Sequence, residues 1–319
     1  MLSKLAQNGR FVLVAGLIAG AGLPILAAKI LPMVGYLVAA LLFLNAFRTG
    51  ERIKKSLKGS LARTAAIVIS LQLVLPLCAL GVFTLTGTTA TPFAFAAVLM
   101  MSAPALTGAP NFVSMAGRDP TDAMRILVVG TLFFPLTALI VLWAMPEIDA
   151  PEALSATIRL AATIFLVVVA GAVARRIFST RFDSVSLNTR CDGLSSLLLF
   201  IIVIGLMSNF GPLLRSSIGT TLIWVAAVMA LNLSLQFCAL ALFRKLQIKE
   251  TVSVSVIAGN RNIALFLVAL QEDVMQHAML FIGCYQIPMY LTPLIMRRAL
   301  SQKSNPAPEN KTAANQCSS

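Results

Sequence analysis

Apolar residues run along this chain in long stretches that are separated by short polar loops. An α-helix needs about 20 such residues to cross the hydrocarbon core of a membrane. At roughly 30 residues for a span and its loop, the chain has room for about ten spans. The pattern predicts them at residues 11–29, 32–49, 64–84, 93–117, 123–144, 154–174, 192–209, 219–243, 250–270 and 276–296.

The composition supports a membrane protein. Apolar residues make up 58% of the 319 residues and charged residues only 12%, whereas a soluble domain averages roughly 45–50% and 25%. Disorder, collagen and coiled coil are excluded by the same figures. We therefore expect an all-α polytopic membrane protein with a single transmembrane domain over residues 1–300. The polar stretch 301–319 is predicted to be a disordered tail.

The net charge of +13 would suggest nucleic acid as the partner of a soluble protein. Here the basic residues concentrate in alternate loops, such as 48–63, 175–190 and 244–249, while the other loops contain the acidic stretches 147–152 and 272–273. By the positive-inside rule this alternation predicts an even number of spans, with both termini in the cytoplasm. The bilayer, and not nucleic acid, is the expected partner.

Five spans in each half of the chain predict an architecture of two repeats. An odd number forces the second half, about residues 154–299, to cross the membrane upside down relative to the first, about residues 10–145. Such inverted repeats are typical of secondary transporters. The two halves also share an interruption, because residues 104–111 in the fourth span and residues 258–262 in the ninth are the most polar or helix-breaking stretch of their half.

The interrupted spans predict binding sites at mid-membrane. Pro104, Gly108 and Pro110 should break the fourth helix, and Gly259 with its polar neighbours should break the ninth. Broken helices are tolerated in a membrane only where freed backbone groups face protein or a water-filled cavity. The first half-helices offer free carbonyls, which favour a cation, and the second half-helices offer positive ends, which favour an anion.

Arg261 is the single residue that most strongly suggests a functional site in the membrane. It lies about ten residues, or roughly 15 Å, from either end of its span, which is too far for its side chain to reach the membrane surface. The acidic residues all fall in predicted loops or at span ends: Glu51, Asp119, Asp122, Glu147, Asp149, Glu152, Asp183, Asp192, Glu250, Glu272, Asp273 and Glu309. Two partners remain open for the guanidinium, namely an anionic substrate and the carbonyl ends of the broken half-helices.

Four neutral polar residues beside the breaks are candidate hydrogen-bonding partners of a substrate. They are Thr107, Asn111, Asn260 and Asn262. The alternative for each is a cap on the start of a half-helix. Gln72, Asn232 and Gln236 lie in other apolar spans and are expected to hold helices together.

Other kinds of site are not supported by the sequence. With His277 as the only histidine, no histidine-based zinc cluster or Ser/His/Asp triad can be assembled. The acidic pair Asp119 and Asp122 is expected to be part of a solvated loop. No GxxxxGK[ST] motif is present, which excludes an ATP-driven pump within this chain. We expect no enzyme activity, cofactor or metal site.

The interrupted regions resemble the bile acid:sodium symporter family. The fragment 103–118, which ends Asn-Phe-Val-Ser-Met-Ala-Gly-Arg, is similar to that family's fourth-helix motif. Its continuation to Pro135, with Gly130-Thr131-Leu132, resembles the family's fifth helix. Residues 259–262, Gly-Asn-Arg-Asn, stand where the family has Gly-x-Gln-Asn. The similarity covers roughly residues 10–300. It implies a core of helices three to five and eight to ten, with helices four and nine crossing, and a moving panel of helices one, two, six and seven.

The resemblance also implies an organic anion as substrate and sodium as coupling ion, but this chain departs from the family at the sodium ligands. Ile257 and Ala258 stand near the family's acidic residue, Leu127 or Val128 occupies a hydroxyl position, and Arg261 replaces the glutamine. The prediction is therefore a sodium-independent carrier of a small organic anion in a bacterial inner membrane. The alternatives are an ordinary sodium:organic anion symporter and a non-transporting sensor on the same fold.

Overall fold

The computed structural model describes residues 9–56, 60–178 and 184–295, and every regular element within them is a helix. The α-helices are α1 (Gly9–Gly22), α2 (Pro24–Ile30), α3 (Val34–Ser56), α4 (Leu61–Ile69), α5 (Leu75–Leu85), α6 (Pro92–Ser102), α7 (Ala109–Met115), α8 (Thr121–Ala144), α9 (Ala150–Phe178), α10 (Ser184–Leu206), α11 (Phe210–Ser216), α12 (Ile218–Lys245), α13 (Thr251–Gly259) and α14 (Glu272–Ile295). The prediction of an all-α protein is confirmed. The predicted tail 301–319 lies outside the described residues.

Three irregular turns lie between consecutive helices, and the first two of them join their helices without a loop. They are a 3-10 turn at Leu31–Met33, a π-helical turn at Ser70–Val74 and a 3-10 stretch at Ile263–Val268. The π turn joins α4 to α5, so that Leu61–Leu85 forms one long helical segment.

Six helical segments among the described residues are long and apolar enough to cross a membrane. They are Pro24–Arg48, Leu61–Leu85, Thr121–Ala144, Ala150–Phe178, Thr189–Leu206 and Ile218–Lys245. Their number and length agree with a multi-pass membrane protein. Two other predicted spans, 93–117 and 250–270, are interrupted near their middle, which shortens each of their helical pieces.

Two helix boundaries differ from the sequence prediction. The first apolar stretch divides at Leu23, because Pro24 lacks the backbone N–H that would continue α1 and instead begins α2. Helix α10 begins at Ser184, not at residue 192. Asp192 therefore lies two turns inside a helix, whereas the sequence placed it at the end of a span.

Small residues allow the helices to approach closely. Helix α9 packs on α3 at Gly171, where a Cβ atom would lie 2.7 Å from the Cβ of Ala46. Helix α10 packs on α1, α2 and α3, and a Cβ at Gly205 would lie 2.5 Å from the Cγ2 of Val34. Such contacts drive helix association where water provides no hydrophobic force.

A second group of helices encloses the interruptions. Helix α12 packs against α13 and α14, α4 packs on α8, and α6 packs on α5 and α14. The apolar core runs between the two groups, with Phe134 of α8 edge-on to Phe266 at a centroid distance of 5.2 Å. The interrupted segments thus lie inside protein, which supplies partners for their backbone groups.

Candidate functional site

The two interrupted segments meet and cross where their backbones are extended. Ala105 and Arg261 form an isolated antiparallel bridge. The backbone N–H of Leu106 donates to the carbonyl of Asn260 at 3.0 Å, and that of Asn262 donates to the carbonyl of Pro104 at 2.9 Å. The structure therefore joins, through four backbone atoms, the two stretches that the sequence singled out from opposite halves.

Local sequence explains both interruptions. Helix α6 ends at Ser102 because Pro104 disfavours the helical conformation for Ala103, which is extended with ψ of 153°. Helix α13 ends at Gly259, and Asn260 is extended with ψ of 92°. In the ninth segment the second half is a 3-10 stretch, Ile263–Val268, where the sequence predicted an α-helix.

Arg261 fills the crossing and is only 1% exposed. Its Nη1 donates to the carbonyl of Ala103 at 3.1 Å, its Nη2 to that of Leu71 at 3.1 Å and its Nε to that of Ala258 at 3.4 Å. These carbonyls belong to the end of α6, the π turn and the end of α13. Of the two partners left open by the sequence, the geometry favours the carbonyl ends of the half-helices.

Each of two carbonyls is free for a specific backbone reason. In a π turn the partner of Leu71 is residue 76, but Pro76 has no N–H, and the N–H of Leu75 already donates to Ser70. The usual partner of Ala258 is Asn262, whose N–H donates across the crossing to Pro104. The guanidinium of Arg261 thus donates to two carbonyls whose usual backbone N–H donor is either missing or engaged with another carbonyl.

The contacts give Arg261 the position of a bound cation. Three carbonyl dipoles point at one delocalised positive charge, and helix C-termini carry partial negative charge. Burying a charge is costly unless it is hydrogen-bonded throughout. The carbonyls provide this compensation without a carboxylate.

A buried polar network fixes the ninth interruption to its neighbours. Asn232 Nδ2 donates to the carbonyl of Gly259 at 2.5 Å, and Gln236 Nε2 donates to Asn232 Oδ1 at 2.6 Å and to Thr292 Oγ1 at 3.0 Å. Tyr285 Oη donates to the same Gly259 carbonyl at 2.6 Å and accepts from the backbone N–H of Arg261 at 2.7 Å. The predicted role of Asn232 and Gln236, holding helices together, agrees with these contacts.

The side chain of Asn260 belongs to this buried network and does not face a cavity. Its Nδ2 donates to the carbonyl of Val256 at 2.7 Å, and its Oδ1 accepts from Thr292 at 3.2 Å. The residue is fully buried and does not line the cavity described next. The structure therefore does not bring Asn260 together with the other candidate ligands.

A cavity of about 360 Å³ lies beside the crossing, between it and helices α1, α3 and α10. This volume is in the range of small-molecule sites. Thr107, Asn111 and Asn262 line it together with Arg261. Asn111 is exposed, and the Asp192 side chain, which also lines the cavity, retains 42% of its accessible surface. The cavity is therefore not sealed.

Sequence reasoning missed several polar residues of the cavity wall, among them Arg48, Asp192, Ser195 and Gln286. Arg48 and Asp192 form an ion pair between α3 and α10. Asp192 lies inside α10 but within one turn of the start of its apolar span, Thr189–Leu206, so the prediction that acidic residues stay at span ends is not contradicted here. The available signal was the pairing of opposite charges at facing ends of two apolar stretches.

The acidic pair that the sequence placed in a loop has local partners. Thr121 donates to Asp119 Oδ1 from its hydroxyl at 2.7 Å and from its backbone N–H at 3.0 Å, and these bonds lower the pKa of the Asp119 carboxyl. Asp122 pairs with Arg125 at 2.9 Å. In the described part of the chain, no three His, Cys, Asp or Glu side chains are grouped to hold a metal ion.

Scanning the chain against models of known protein families finds no matching family, and a search of curated proteins finds no match.

Proposed function

We propose that this protein is a secondary membrane transporter of a small organic anion that works by alternating access without sodium. The observation that carries the proposal is the crossing of two interrupted segments beside a polar cavity in a protein of long apolar helices. Broken helices that cross at mid-depth are where secondary transporters bind their substrates. Two arginines and one carboxylate line the cavity, which favours an anion.

The finer architecture is part of the proposal: ten spans in two inverted halves, as in the bile acid:sodium symporter family. Its support is the symmetry of packing. Helix α1, of the first span, packs on α10, of the seventh, while α3, of the second span, packs on α9, of the sixth. An axis that exchanges the two halves also exchanges these two pairs. The same axis exchanges the two crossing segments.

Contacts in and outside the cavity support alternating access. Within the cavity, Asn111 and Asp192 remain accessible. Outside the cavity wall, Glu152 of α9 accepts hydrogen bonds from the backbone and side chain of Gln271, at 3.1 and 3.0 Å, just before α14. The panel and the core would thus be closed on the side of Glu152 and open on the basic side, which we place in the cytoplasm of a bacterial inner membrane.

Arg261 makes sodium unnecessary and unwelcome at the crossing in this proposal. Its guanidinium already donates hydrogen bonds to the carbonyls that would otherwise coordinate a cation. At an effective dielectric of about 20, two unit charges about 5 Å apart repel by roughly 3 kcal/mol, which weakens cation binding by about two orders of magnitude. Transport would then be facilitated diffusion or anion exchange.

Uptake into proteoliposomes tests this function. A panel of small carboxylates and sulfonates would be offered at fixed pH with sodium, and again with potassium or choline replacing it. We expect saturable uptake of at least one anion at the same rate in all three salts. A steep, saturable sodium dependence would make the protein an ordinary symporter. Anion binding without uptake or counterflow would favour a sensor.

Three cavity residues should determine substrate affinity. We expect Thr107→Val, Asn111→Leu and Asn262→Leu each to raise the KM for uptake roughly tenfold, because each removes one hydrogen bond to a desolvated polar group. Ser114→Ala is the matched control, since Ser114 is exposed on α7 and does not line the cavity. Unchanged KM in all three variants would show that the substrate binds elsewhere.

A further inference from the structure

The cavity contains one ion pair whose members come from different helices. Arg48 lies on α3 and Asp192 on α10, and both side chains line the cavity. Their side chains retain 22% and 42% of their accessible surface, respectively. An ion pair with this exposure is weakly held, because water solvates each partner when the two separate.

The other cavity arginine is not available in this way. Arg261 is 1% exposed, and its guanidinium donates to three backbone carbonyls at the ends or irregular turns of their helices. Withdrawing it would leave buried carbonyls without a hydrogen bond. Arg48, by contrast, can exchange one carboxylate for another of the same geometry.

The wall near the pair offers further hydrogen bonds. The hydroxyl of Ser195, one turn after Asp192, is buried and has no hydrogen-bond partner among the described residues. Asn262 also lines the cavity, with 9% of its surface accessible, and its backbone N–H donates to the carbonyl of Pro104. A buried polar group without a partner is uncommon, and a ligand can supply one.

From these contacts we propose that Arg48 binds the acidic group of the transported anion, and that Asp192 holds Arg48 until the anion displaces it. The inference rests on the proposed function and names the substrate class more closely. The substrate is a small organic monoanion with a carboxylate, which Arg48 binds through two N–H groups, and with a hydroxyl or carbonyl group for Ser195 and Asn262. Arg48, Arg261 and Asp192 together leave one net positive charge in the cavity wall.

The test measures the charge preference of the cavity directly, without a known substrate. Ser195→Cys would be introduced into the full-length protein after replacing its own cysteines, Cys78, Cys191, Cys238, Cys284 and Cys317, with serine or alanine. The thiol is then modified with anionic sulfonatoethyl methanethiosulfonate or cationic trimethylammonium-ethyl methanethiosulfonate. The ratio of the two rates reports the local potential, because thiol reactivity itself cancels.

We expect the anionic reagent to be favoured at the thiol that Ser195→Cys introduces. Arg48→Gln should lower the rate ratio roughly tenfold, and Asp192→Asn should raise it by a similar factor, since removing one nearby charge changes the rates of the two reagents in opposite directions. Arg63→Gln is the control, because Arg63 is exposed and does not line the cavity. It should leave the ratio unchanged.

A second reporter keeps the outcome decisive. Thr107→Cys places a thiol on the opposite wall and should show the same order of ratios. If the Arg48→Gln variant fails to fold, the increase of the rate ratio in Asp192→Asn tests the proposal by itself. The proposal would be overturned if neither Arg48→Gln nor Asp192→Asn changed the rate ratio, or if the introduced thiols reacted with neither reagent. These rates require no transport, so absent uptake together with the expected ratios would reject the transporter function and keep the anion site.

Discussion

Arg261→Ala should destabilise this protein more than any other single substitution of a charged residue. The change leaves the carbonyls of Leu71 and Ala103 buried without partners and opens a void at the crossing. Breaking a buried charged contact by removing one partner costs about 3–5 kcal/mol. We expect the apparent melting temperature in detergent, followed as monodisperse protein after heating, to fall by roughly 10 °C or more.

Two variants sharpen this prediction. Arg261→Lys keeps the charge, but a single ammonium cannot reach three diverging carbonyls, so we expect it to recover only part of the stability. Arg48→Gln removes an arginine from the half-exposed ion pair and should change the melting temperature little. A melting temperature that is unaltered by Arg261→Ala would contradict the structural role of the guanidinium.

Sodium provides an independent readout of the same contact. If the guanidinium takes the place of a cation, the carbonyls that lose their hydrogen bonds in Arg261→Ala should bind a sodium ion. Replacing choline with sodium should then raise the melting temperature of this variant but not that of the wild-type protein, because a ligand stabilises the state that binds it. Equal sodium effects on both proteins would show that the carbonyls do not form a cation site.

Gly259→Ala is expected to have the second largest effect. A Cβ atom there would lie 2.5 Å from Cγ of Gln236 and 2.6 Å from the backbone carbonyl oxygen of Asn232. The side chain of Gln236 could shift, but the backbone of α12 cannot move without breaking the bond from Asn232 to Gly259. Overpacking costs about 1–3 kcal/mol, and the lost hydrogen bonds add to it.

Gly81→Ala is the matched control. Gly81 lies inside helix α5, and a Cβ there would meet no heavy atom within 4 Å among the described residues. Alanine favours a helix by about 1 kcal/mol over glycine, so this variant should be at least as stable as the wild type. Comparing the two melting curves separates a clash at the crossing from a general effect of alanine. Equal stability of both variants would mean that α13 is not pressed against α12.

The sequence was sufficient to predict several features of this protein. Apolar runs and scarce charge predicted an all-helical membrane protein, because the bilayer permits few other structures. Pro104 and Gly259 predicted where two helices break, since the backbone groups that they remove or distort are local. Arg261 stood out because a guanidinium at that depth must have partners. Each inference depends only on neighbouring residues and on the solvent.

The tertiary structure alone decided what those groups meet. Pro76 was visible in the sequence, but the π turn before it determines that Leu71 has the free carbonyl, and only the packing of α13 brings Arg261 to it. Asn260 and Asn262 are two residues apart, yet one turns into the helix network and the other faces the cavity. Hydrogen bonds and ion pairs between distant segments depend on register and rotation, which residue spacing within one segment does not encode.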